Sequence, residues 1–90
     1  MDYPYLKVFL IKIPYPSYMN EIEQFADKLE KLVHRSGKSQ NVIALEIGLS
    51  VSTLSNYIHG RTIPSSKIFI RLCKSLDCTY EDLLGPIDLL

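Results

Sequence analysis

The sequence predicts an all-α domain of five short helices, and three observations carry that prediction. Between Asn20 and Leu84 apolar residues recur at spacings of three and four, the period of a helix with one buried face. Most of these segments open on a residue able to cap a helix: Asn20, Ser39, Ser50, Thr79, and the run Pro64-Ser65-Ser66. Glycines then fall where several of the periodic runs stop, at Gly37, Gly48 and Gly85.

Each helix follows from its residues. The first begins near Asn20, which with Glu23 forms a capping box, and acids crowd its first turn where the helix dipole favours them. Ile22, Phe25, Ala26, Leu29, Leu32 and Val33 make its apolar stripe, with Lys28, Lys31 and Arg35 on other faces or near the end, and Gly37 stops it. The second runs from Ser39 as cap to Ile47, with Val42, Ile43, Leu45 and Ile47 as its stripe. Gly48 supplies a turn, since glycine takes positive φ without a Cβ clash. The third helix runs from Ser50 to about His59, and Leu49, Leu54, Tyr57 and Ile58 form the apolar side. After Gly60 and the loop RTIP, the fourth opens on Pro64-Ser65-Ser66 and buries Ile68, Phe69, Leu72, Cys73 and Leu76. Thr79 caps the fifth, Asp82 completes a Thr-x-x-Asp box, Leu83 and Leu84 point inward, and Gly85-Pro86 ends it.

The chain divides into an extension (1–18), a helical domain (19–85) and an apolar tail (86–90). The extension holds four of the six tyrosines and three of the five prolines, so its composition sets it apart. Leu6 to Ile13, bracketed by Pro4 and Pro14, reads as one short strand, which a helical chain leaves without a partner. Three readings of it stay open: a dimerising strand, an arm docked on the helices, and a leader ahead of a natural start at Met19.

At 90 residues the chain makes one domain, able to bury roughly 60% of its unfolded surface. No apolar run approaches the roughly 20 residues of a membrane span, and no signal-peptide pattern frames Leu6–Ile13, so a cytoplasmic protein is expected. Formal net charge is zero, yet six bases stand against one acid, Glu46, between Arg35 and Lys74. That segment coincides with the stretch around Ser39 to Gly60, and a basic patch of this kind is the footprint of a domain with one nucleic-acid-facing side. Cys73, Cys78, His34 and His59 show no metal-ligand spacing, and the two cysteines read as small buried hydrophobes. No cofactor, metal or small-molecule ligand is expected. No Ser-His-Asp, paired-carboxylate or phosphate-loop constellation appears, so an enzyme is not expected.

The stretch from Ser39 to Gly60 carries the functional reading. Two short helices joined by a glycine turn describe a helix-turn-helix. With Leu54, Tyr57 and Ile58 turned inward, the outer face of the second of them shows Val51, Ser52, Thr53, Ser55, Asn56 and His59. Such a face carries no Glu or Lys. Short donors and acceptors suit a helix that lies close against base edges and phosphates.

GKSQNVIALEIGLSVSTLSNYIHGRTIPS resembles the helix-turn-helix of the Xre family, the lambda-repressor-like and Cro-like DNA-binding domains. Ser39-Gln40, Ala44, Gly48, Ser55, Gly60 and Pro64 stand at the family's spacing, and the likeness extends from about Glu21 to Gly85. It implies a five-helix lambda-repressor-like fold and a sequence-specific transcriptional regulator, a repressor binding double-stranded DNA as a homodimer on a two-fold operator. Residue by residue, the resemblance implies base contacts from Val51, Ser52 and Asn56. Backbone contacts fall on Gln40, Asn41, Thr53, Ser55, His59, Arg61 and Thr62. The alternative is an antitoxin or similar protein that uses the fold mainly for protein association, through the N-terminal strand or the apolar tail.

Two departures from the family pattern stand out. Members often pair an arginine late in the first helix with a glutamate late in the third, where this chain has Val33 and Ile58. Losing both charges together strands neither, so the two residues are expected in contact in the core. Asp77 stands where the family commonly has a helix-ending glycine.

Overall fold

The structure, a computed structural model, describes residues 18–84. These form five helices: α1 (Glu21–Ser36), α2 (Gln40–Ile47), α3 (Val51–Ile58), α4 (Ser66–Leu76) and α5 (Tyr80–Leu84). No strand occurs among the described residues, and the expected strand at Leu6–Ile13, the end of the fifth helix at Gly85-Pro86 and the tail lie outside them.

Cap chemistry sets the helix starts as the residue types demand. The Asn20 side chain accepts from the Glu23 amide at 2.8 Å, and the Glu23 carboxylate accepts from the Asn20 amide at 3.0 Å. Ser39, Ser50 and Ser65 each accept from the amide three residues on, and Thr79 and Asp82 exchange reciprocal bonds at the start of α5. Each cap of this kind contributes about 1 kcal/mol. At the other ends, Asp77 does take the left-handed conformation (φ 52°) to close α4.

Helix α1 lies across α3, α4 and α5, while α2 packs between α3 and α4. Leu29, Ile43, Ile47, Leu54, Leu72 and Leu83 are the large side chains removed completely from solvent. Burial of each is worth about 1.5–3 kcal/mol relative to exposure. Phe69 joins two edges of this core: its ring centroid lies 6.0 Å from that of Phe25 and 5.2 Å from Tyr80, with which it stacks.

Several expectations about burial need correction, and Ile68 and Cys78 are among them, being half-buried at the edge of the core. Val42 and Leu45 do not face the core; they are 43% and 80% exposed, and α2 buries Ile43, Ala44 and Ile47 instead. At 100° per residue those three share one side of the helix, which turns Val42 and Leu45 to the opposite side. Leu84 is likewise exposed, because Leu83 already occupies the inward position of α5. Val33 is only half-buried, although it packs against the core cluster and lines the same depression as the buried Ile58.

Candidate nucleic-acid interface

The connection between α2 and α3 is three residues long. Gly48 sits at φ 77°, and its amide and that of Leu49 return to the carbonyls of Leu45 and Ala44, at 3.2 and 3.0 Å. Ser50 then starts α3. A Cβ at position 48 would be strained by the left-handed backbone and would meet Arg71 Nη1 at 3.4 Å. The tight turn leaves the outer side of α3 uncovered.

Along that side Val51 and Ser52 are exposed, Thr53, Ser55 and Asn56 half-buried, and His59 exposed as the helix's last cap. Their side chains are partly organised by local bonds. The Thr53 hydroxyl lies 2.9 Å from that of Ser50 and belongs to the cap. His59 Nδ1 lies 2.8 Å from the Ser55 carbonyl oxygen, which only accepts, so Nδ1 carries the proton and donates. Asn56 ends one turn beyond Ser52; Arg61 Nη1 reaches its Oδ1 at 3.5 Å, the outer limit of a hydrogen bond, so the amide keeps both donor and acceptor capacity. The Arg61 amide donates to the Asn56 carbonyl at 2.9 Å and ties the following loop to α3. Arg61 and Thr62 are exposed there.

Gln40 and Asn41 are exposed at the first two positions of α2, where the amide end of the helix favours an anion. The site residues expected from sequence therefore fall on three pieces of surface: the start of α2, the outer side of α3 and the loop after it. Among the described residues no group of three or more His, Cys, Asp or Glu side chains is placed to hold a metal ion.

The basic segment does not form one face. Lys38 turns away to donate to the Glu46 carboxylate at 2.9 Å and to the Ser75 carbonyl at 2.6 Å. Arg71 donates to the Ile47 carbonyl at 3.2 Å, at the C-terminal end of α2. Both bases hold α2 against α4. The Ser75 hydroxyl completes the node by donating to Glu46 at 2.6 Å. Sequence reasoning missed this node, since its members lie up to 37 residues apart. The one available signal was a serine, three residues after Leu72 and beside Leu76, on the buried side of α4.

The Ser75 hydroxyl, and after it Lys38, lowers the Glu46 pKa below the ordinary 4.5. The sign follows from linkage: a depressed carboxylate contributes stability that is present above pH 4.5 and is lost as pH falls through the lower folded-state value. Glu46→Gln is therefore expected to lower the melting temperature at neutral pH and to lessen its fall on acidification below that pH. Melting curves at neutral and strongly acidic pH check this, and an unchanged difference between the two would count against the node.

Residues 29–83 match the sequence profile described as helix-turn-helix. No curated protein matches the chain. Among solved structures, the restriction-modification controller protein C.AhdI from Aeromonas hydrophila is similar, with 26% identity and a TM-score of 0.65 over 69% of this chain and 94% of that one. The SOS-response transcriptional repressor LexA from Eubacterium rectale shares the fold at 24% identity, with a TM-score of 0.69 over 83% of this chain and 84% of that one. The profile match spans more than half of the chain, and the turn at Gly48 with its capped α3 is the geometry the profile describes. The chain belongs to the helix-turn-helix family, among the Xre-like DNA-binding regulators.

Proposed function

We propose that this protein is a sequence-specific transcriptional repressor that binds a two-fold operator as a homodimer, with α3 as the recognition helix. The observation that carries the reading is the outer side of α3, which presents Val51, Ser52 and Asn56 to solvent with no Glu or Lys among them. Val51 at the leading end meets a thymine methyl, while Ser52 and Asn56 bond base edges. Gln40, Asn41, Thr53, Ser55, His59, Arg61 and Thr62 surround them and contact phosphates and sugars, fixing register without carrying sequence information. C.AhdI, a controller protein, and LexA, a repressor, support the regulatory reading by likeness of fold. A homodimer matches the symmetry of a two-fold operator, whose half-sites lie about one helical turn apart.

Selection of binding sites from a random DNA pool tests the proposal. An enriched inverted repeat with half-sites one turn apart is expected. A pool that stays random at low salt would overturn it.

One observation favours association as a second role of the fold: Val42 and Leu45 lie three residues apart on the exposed side of α2. Under that antitoxin-like reading, DNA binding is absent even at low salt and a tight complex forms with a protein partner. Neither reading calls for catalysis. No helix among the described residues is long and apolar enough to cross a membrane.

A further inference from the structure

The end of α4 holds two thiols in an arrangement the DNA-binding reading does not use. Cys73 lies in the last turn of α4, Asp77 follows in the left-handed conformation, and the Cys78 amide donates back to the Cys73 carbonyl at 3.0 Å. A bond from the sixth residue to the first across a left-handed residue is the Schellman cap. Such a cap places the side chains of its two bonded residues on the same side, where an apolar contact usually seals the helix end. Here both residues are cysteines. Cys73 is 9% exposed, Cys78 is half-buried, and both line a surface depression with Ile70 and Tyr80.

We propose that Cys73 and Cys78 form an oxidative modification site, a dithiol that a small-molecule disulfide converts to an intramolecular disulfide across the α4 cap. A protein disulfide needs Cα atoms about 4.4–6.8 Å apart with Cβ atoms facing each other. The backbone bond between the two residues holds the chain close, and the cap geometry turns the side chains together.

The chemistry proceeds in two exchanges. The Cys78 thiol, the more exposed, loses its proton and attacks one sulfur of the oxidant, breaking that S–S bond. A mixed disulfide forms and one small thiolate leaves. Cys73 then loses its proton and attacks the Cys78 sulfur, releasing the second small thiolate. Two protein thiols lose two electrons, the oxidant gains them, and the two protons pass to the two released thiols. Burial, with a contribution from Cys73, pushes the Cys78 thiol up to about 12, and burial raises Cys73 as well. Thiolate is therefore scarce at neutral pH and entry is slow.

The test uses the full chain, incubated with excess oxidised glutathione at mildly alkaline pH, quenched in acid, then denatured and alkylated. The expected product is a monomer lighter by two hydrogen atoms that takes up no alkyl label. Trypsin, cutting after Lys74, should leave the two flanking peptides joined until a reductant is added. Cys73→Ser under the same treatment should stop at the mixed disulfide and retain one glutathione. The proposal is overturned if the wild-type chain keeps glutathione on either cysteine, forms a disulfide-linked dimer, or still accepts two alkyl labels after the time that loads Cys73→Ser. It is also overturned if Cys73→Ser never loads, because Cys78 is then not the entry point.

Discussion

Ile58→Glu is expected to destabilise the fold by about 3 kcal/mol or more. Ile58 is 6% exposed on the inner side of α3, and the side chains that share its depression include the half-buried Val33. A carboxylate placed there loses much of its hydration, and the lysines that line the same depression are already engaged, Lys31 with Asp27 and Lys38 with Glu46. It would respond by holding its proton more tightly than in the unfolded chain, so the folded state would bind the extra proton. The deficit is therefore fully expressed at neutral pH and shrinks as pH falls through the raised value. Adding Val33→Arg should recover part of the loss, since Val33 reaches solvent and a guanidinium there can pair with the new carboxylate while part of it stays hydrated. Urea unfolding of the two single variants and the double variant gives the coupling energy. A double variant no more stable than Ile58→Glu would show that the two positions do not interact.

Local and long-range features of the chain differ in how far they could be read from sequence. Cap residues were legible because their chemistry is local: Asn20 and Glu23, or Thr79 and Asp82, are three positions apart, and their bonds need no knowledge of the rest of the chain. The stripes of α1 and α4 were legible because these helices are 16 and 11 residues long and alternate apolar with charged positions. Helix α2 is eight residues long and its sequence, QNVIALEI, is mostly apolar, so no period separates inside from outside. That is why Val42 and Leu45 were expected in the core and are found on the surface.

The basic segment misled in a different way. Counting Lys38 and Arg71 toward a nucleic-acid footprint assumed that both point to solvent, whereas each bonds within the α2–α4 contact. Nothing local in the chain signals this. Of the candidate site, the start of α2, the outer side of α3 and the loop at Arg61 followed from the register of one motif; Gln40, Asn41, Val51, Ser52, His59, Arg61 and Thr62 are exposed, whereas Thr53, Ser55 and Asn56 are half-buried.

Asn56→Ala is expected to cost about 1–3 kcal/mol on the preferred operator and little on scrambled DNA. The amide of Asn56 stands one turn after Ser52 on the outer side of α3, and its bond to Arg61, at 3.5 Å, is too long to hold it away from an adenine edge. An adenine offers an acceptor and a donor at the spacing of a carboxamide, and alanine satisfies neither, so the loss falls on the matched sequence. Arg61→Ala should behave differently. An exposed guanidinium in the loop after α3 serves phosphates, which are the same on every sequence, so binding weakens on operator and scrambled DNA alike. Its removal leaves one phosphate fewer neutralised, which should flatten the plot of log affinity against log salt by about one unit of slope. Titrations of both variants against both DNAs across a salt series separate the two roles. Equal losses on the two DNAs for Asn56→Ala would remove it from the base-reading set, and an unaltered salt slope for Arg61→Ala would remove that residue from the phosphate-binding set.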